Sequence, residues 1–173
     1  MSRNNTTVEC IRGDIANQPD MTAIVNAANA QLRTGGGVAG AIHRAAGPRL
    51  AEECRPYAPI KPGEAVLTGA ADLPNTSVIH CLGPVYGRDR PEDVLLERCY
   101  GAVLDICEEH HIDSIALPAL STGAFGYPVE EAADSVVSVL KSRLPELTWP
   151  KKIRFVLHTK DDLALYRKKM EDL

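Results

Sequence analysis

Short β-branched runs alternate along the chain with longer stretches whose apolar residues recur at helical spacing. Strands are predicted at Val8–Arg12, Ala23–Asn26, Ala65–Thr68, Val78–Leu82, Ser114–Leu117 and Ile153–Leu157. Between Pro91 and His110, the residues Leu96, Cys99, Tyr100, Val103, Ile106 and Cys107 form one helical stripe, with Pro91 placed in the first turn. Val129, Ala132, Ala133, Val136 and Leu140 form a second, again behind a proline. Val38, Ala41, Ile42 and Ala45 form a third, and Leu163, Tyr166 and Met170 a fourth. Continuous apolar strands read as buried on both faces, and their alternation with helices predicts an α/β layered domain around a parallel or mixed sheet. No repeat, low-complexity tract or linker divides the pattern, so residues 1–173 are expected to form one domain.

Two segments depart from this scheme. Asn26-Ala27-Ala28-Asn29 runs into Thr34-Gly35-Gly36-Gly37-Val38-Ala39-Gly40, and Leu120-Ser121-Thr122-Gly123-Ala124-Phe125-Gly126-Tyr127 follows a strand. Both join the C-terminal end of a strand to the N-terminus of a helix, the edge where open α/β sheets bind ligands. Successive glycines let backbone N–H groups face one concavity, and a helix N-terminus adds positive partial charge. Two such loops facing each other would take a diphosphate without any Lys or Arg. A plain turn and helix cap is the other reading of these glycines. Gly35-x-Gly37-x-x-Gly40 has the dinucleotide spacing, but Ala27–Thr34 separate it from its strand, and Glu52 and Glu53 fall in a helical stretch. That weighs against a nicotinamide dehydrogenase. No P-loop is present, and Ser121 lies outside any G-x-S-x-G elbow.

Composition narrows the partners. At 45% hydrophobic the chain is not a disordered one, and 19 Lys+Arg against 23 Asp+Glu leave a charge of −4, which disfavours a hold on nucleic acid. The uncharged stretch from Ser114 to Val129 holds two prolines and is too short to span a membrane, and MSRNNTTVEC lacks the apolar core of a secretory leader. Five cysteines without C-x-x-C spacing argue against disulfides and structural zinc, and no two histidines have ligand spacing. The expectation is a cytoplasmic monomer with no metal and no cofactor. Asp14 reads as a turn or helix-cap residue, His43 as a half-exposed helix residue, His110 and His111 as helix-end cations, and His80 and His158 as strand residues.

Taken together, Gly13-Asp14-Ile15, Val25–Asn29, Gly35–Val38 with Gly40–Gly47, Val78-Ile79-His80 with Gly83-Pro84, and Ser121-Thr122-Gly123 with Gly126 resemble the macro domain family, in its MacroD-type branch. The resemblance covers nearly the whole chain in order. It implies a three-layer α/β/α sandwich around a mixed six-stranded sheet, with a cleft for ADP-ribose or ADP-ribosylated proteins. Family activities include removal of ADP-ribose from acidic side chains and deacetylation of O-acetyl-ADP-ribose.

Carried over by position, the resemblance implies that a buried Asp14 accepts the adenine amino hydrogen, beside the Ile15 N–H. Asn29 would hold the distal ribose, and Asn26 would brace the loop presenting it. Residues Gly35, Gly36, Gly37 and Val38 would wrap the diphosphate from one side. Ser121, Thr122, Gly123, Ala124, Phe125 and Gly126 would do so from the other, with Phe125 packed on the distal ribose. Water held between Asn29, the α-phosphate and the loop backbone would attack at the distal ribose, with His43 assisting. Two positions depart from the pattern. Ala39 stands where the branch usually carries an Asp considered catalytic, although certain viral macro domains also read G-G-G-V-A-G and are regarded as hydrolases. His158 stands where several relatives have an aromatic residue beside adenine. A surface-filling strand-end histidine is the other reading there. An ADP-ribosyl ester hydrolase and a non-catalytic ADP-ribose reader are thus both open, Ala39 favouring the second.

Overall fold

The computed structural model describes residues 6–173; residues 1–5, the start of the stretch read above for a leader, lie outside the described residues. Six strands form one sheet: β1 (Thr7–Arg12), β2 (Ala23–Ala27), β3 (Ala65–Gly69), β4 (Ser77–Cys81), β5 (Ser114–Leu117) and β6 (Lys152–Leu157). Their order is β1-β6-β5-β2-β4-β3, and all neighbours are parallel except the antiparallel pair β3–β4. The mixed sheet expected from the strand pattern is therefore present, with single-residue differences at several strand ends.

Helices α1 (Gly37–Ala46) and α2 (Arg49–Cys54) cover one face; α3 (Glu92–His110), α4 (Val129–Arg143) and α5 (Lys160–Met170) cover the other. Side chains of successive strand residues point to opposite faces, which splits each apolar run between two cores. Val25, Ile79, Ile115 and Phe155 pack with Val103, Val136 and Tyr166, while Ile24, Val78, Ala116 and Val156 pack with Ile42, Ala46 and Leu50. Pro91 precedes α3 in extended conformation, and Thr159 caps α5 by accepting the Asp162 N–H at 3.1 Å.

The connection from β1 to β2 is pinned to the sheet by Arg154, a buried residue of β6 that donates to Asp20 at 2.7 and 2.8 Å and to Gln18 at 2.9 Å. The guanidinium holds the Asp20 carboxyl down at about 2. Among the described residues no helix is long and apolar enough to cross a membrane.

Candidate functional site

Because β1, β2, β4, β5 and β6 are parallel, their C-terminal ends share one edge of the sheet. The loops leaving β2, β4 and β5 enclose a cleft of about 310 Å³ there, lined by residues 27–29, 35–39, Gly83, 119–121 and 123–125. Two larger, shallow hollows of about 560 and 360 Å³ lie against α2 and β3. They involve Gly69, which pairs with Ser77 at the start of β4, and so belong to the opposite sheet edge.

One wall is the start of α1. Gly36 precedes the helix, no side chain caps it, and its first turn holds no acid. The first amides of such a helix lack intrahelical partners and offer donors with positive partial charge. A Cβ on Gly40 would run into the carbonyl oxygen of Gly35, so the glycine run folds back tightly on the first helical turn. A Cβ on Gly36 would meet nothing within 4 Å and would project into open space.

The facing wall is the loop after β5. Ser121 takes a left-handed backbone at φ +67, its carbonyl accepts the Tyr127 N–H at 2.9 Å, and its hydroxyl is enclosed without a hydrogen-bond partner. Just before it, the Leu120 N–H donates inward to the Tyr100 hydroxyl at 3.1 Å, which ties the loop to α3. Burial raises the Tyr100 phenol well above its ordinary range, so it stays protonated. Thr122 donates to the Ala119 carbonyl at 3.1 Å, and the Gly126 N–H returns to Gly123 at 3.0 Å; neither lines the cleft.

Asn29 lines the cleft and closes its own loop, accepting the Arg33 N–H at 3.0 Å and donating to the Arg33 carbonyl at 2.8 Å. A second amide hydrogen and a second oxygen lone pair remain for a ligand. Phe125 lines the cleft half-buried, and its carbonyl accepts the Tyr86 N–H at 2.9 Å.

Several expectations are corrected. The Asn26 side chain makes no direct bond to the Asn29 loop: it turns into the core and donates to His80 Nδ1 at 3.0 Å. The direct side-chain bonds within that loop are those of Asn29 to Arg33. His43 is neither half-exposed nor in the cleft. It is buried beneath α1 with Nε2 enclosed, and burial lowers its pKa. Asp14 is exposed rather than buried, and its Oδ1 accepts the Ala16 N–H at 2.9 Å. His158 is exposed, and its carbonyl accepts from Arg12 at 3.3 Å. Asp14, Ile15 and His158 follow β1 and β6, on the same sheet edge as the cleft but outside its lining.

Gly83 and Ala119, outside both glycine-bearing segments, also form cleft wall. The one signal for Gly83 was a Gly-Pro pair just after a strand. Ala39 is a buried part of the wall, and no ionisable side chain lines the cleft among the described residues. No group of three potential metal ligands occurs among them either. The site is a neutral one, lined by glycine-rich backbone, small apolar side chains, one carboxamide and one aromatic ring.

A family model for the macro domain matches residues 25–136. The chain is 43% identical over 166 residues to a macro domain-containing protein of Chlorobaculum tepidum, covering 95% of this chain and 96% of that one. It is 42% identical over 164 residues to the O-acetyl-ADP-ribose deacetylase of Salmonella gallinarum, covering 92% and 91%. The solved Oceanobacillus iheyensis macrodomain with ADP superposes with a TM-score of 0.91 at 34% identity, over 97% of this chain and 92% of that one. The Trypanosoma brucei macrodomain in complex with ADP-ribose does so with a TM-score of 0.87 at 34% identity, over 94% of this chain and 68% of that one. With the sheet order, the backbone-walled cleft and these likenesses in agreement, the chain belongs to the macro domain family.

Proposed function

We propose that this chain binds ADP-ribose along the strand-end edge and hydrolyses acyl esters carried on the distal ribose. One observation carries the reading: two glycine-bearing loops and an uncapped helix start face one hollow that no ionisable side chain lines. A diphosphate fits such a site because peptide N–H groups and a helix N-terminus neutralise it without Lys or Arg. A relative named O-acetyl-ADP-ribose deacetylase and neighbouring structures holding ADP or ADP-ribose support the same ligand. Adenine then lies toward the ends of β1 and β6, where Oδ2 of Asp14 is left to accept its amino hydrogen. The distal ribose lies against Asn29 and Phe125.

The chemistry follows from what the lining lacks. With Ala39 in the wall and His43 sealed below it, the base that takes a proton from water is a phosphate oxygen of the ligand. The water oxygen adds to the acyl carbonyl carbon, the bond to the ribose oxygen breaks, and that oxygen leaves carrying the proton. Acetate and ADP-ribose are the products. Backbone donors of residues 121–125 supply the electrostatic stabilisation from which most of the rate originates. Ala39 favours a second reading, a reader that binds ADP-ribose and turns nothing over.

Incubation with O-acetyl-ADP-ribose, following acetate release beside calorimetry with ADP-ribose, separates the two. Release above buffer is the expected result. Saturable binding without release leaves the reader, and absence of binding overturns both.

A further inference from the structure

Asn26 and His80 are register partners across β2 and β4, on the sheet face covered by α1 and α2, and both are buried. Their neighbours on that face, Ile24, Val78, Ala28 and Leu82, are apolar. Polar groups in such a place are tolerated chiefly when paired, and of this pair Asn26 Oδ1 alone is enclosed without a partner among the described residues. Asn26 Nδ2 lies 3.0 Å from His80 Nδ1, and His80 Nε2 lies 2.9 Å from Thr68 Oγ1, whose own proton goes to the Gly69 carbonyl at 2.8 Å. That last bond fixes the direction of the chain. Thr68 must accept from Nε2–H, and because the Asn26 amide nitrogen can only donate, Nδ1 accepts from it unprotonated and the imidazole is neutral. Cys54 Sγ, from α2, lies 3.4 Å from Nε2, and His43, from α1, is near enough for its charge to bear on the ring. The chain of bonds thus runs from edge strand β3 through β4 to β2, on the sheet face under α1, and Asn26 opens the segment ending at Asn29.

We propose that His80 is a positioning residue for the ligand site: by accepting from Asn26 it sets how the chain leaves β2 and so places Asn29 against the distal ribose. This rests on the ADP-ribose reading. His80 touches no ligand, and its effect passes through Asn26.

Two substitutions separate positioning from simple core filling. His80→Asn puts an amide oxygen where Nδ1 was and keeps the acceptor for Asn26. His80→Gln reaches the Nε2 position, keeps the partner for Thr68 and loses Asn26. Both remove the ring, so both lower the melting temperature. The readouts are the affinity for ADP-ribose relative to ADP, which lacks the distal ribose, and the amide NMR shifts of Asn29 and Arg33 in the free protein. We expect His80→Gln to lose about tenfold of the ADP-ribose preference, a loss of one hydrogen bond's worth, and to move both amides. His80→Asn should stay within about twofold of the unmodified ratio and leave the amides in place. If both variants shift the ratio and the amides alike, or neither does, the positioning role is wrong. If the unmodified protein itself shows no preference for ADP-ribose over ADP, the ligand reading falls, and the amide shifts alone decide what His80 does for Asn29. Should His80→Gln fail to fold, Asn26→Ala breaks the same bond from its other end.

Discussion

The hydroxyl of Ser121 occupies the space that a Cβ on Gly83 would need, so these two residues, on loops from β5 and β4, meet at the cleft wall. Ser121 holds a left-handed backbone at φ +67 to reach that position. An L-residue there carries roughly 1–2 kcal/mol of strain. Gly83→Ala should therefore cost about 1–3 kcal/mol through overpacking. Ser121→Gly relieves both the strain and the clash, so the double variant should recover most of that loss. Urea denaturation of the four proteins checks this; additive effects would show that the two residues are not coupled.

Gly36 differs from Gly83 in having open space beside it. Its φ of −85 suits any residue, so Gly36→Val should fold while its isopropyl group enters the cleft. Affinity for ADP should fall at least about tenfold, whereas adenosine binding, which needs no phosphate cradle, should not change. Equal losses for both ligands would place the phosphates elsewhere.

Ala39 is 6% exposed, lines the cleft and lies in the first turn of α1. A carboxylate there would sit beside the positive end of the helix and within reach of ligand-bound water. Ala39→Asp should raise turnover of acyl esters by roughly 10²-fold, the scale of a positioned base, at some expense in melting temperature. Unchanged turnover would show that the substrate phosphate already serves as a sufficient base.

Acid should weaken the fold through its buried imidazole. Burial pushes His80 from 6.5 down to about 3, so the unfolded chain takes up a proton that the folded one refuses. This contribution is whole above pH 6.5 and declines as pH falls toward 3, by up to about 1.4 kcal/mol per unit. His43, lowered by burial as well, acts in the same direction. Between pH 6.5 and 4.5, above the range where Asp20 loses its ion pair with Arg154 and Glu9 its pair with Lys152 at 2.7 Å, urea midpoints should fall, and His80→Asn should fall less steeply. Parallel slopes in the two proteins would contradict the assignment.

What could be read from the chain alone was local. Each strand announces itself as a β-branched run, and the stripes at Leu96–Cys107 and Val129–Leu140 coincide with buried faces of α3 and α4. The cleft was legible because both glycine-bearing segments follow strands, and the sheet order then brings them face to face. Helix α2 is only six residues long and buries just Leu50 and Cys54, too few to set a period. The rest depends on distant pairs. Nothing in Val78-Ile79-His80-Cys81 reveals that His80 meets Asn26 and Cys54, 54 and 26 residues away. The exposure of Asp14 could not be read either, because position in a motif does not say whether neighbours bury a side chain.

If the neutral, backbone-walled cleft selects ADP-ribose, calorimetric titration of the unmodified protein with ADP-ribose, ADP and adenosine should rank the three. Saturable one-to-one binding is expected, with ADP-ribose tightest, ADP weaker by the contacts of the distal ribose, and adenosine weakest by far. Equal affinity for all three, or no binding of ADP-ribose at millimolar concentration, would contradict it.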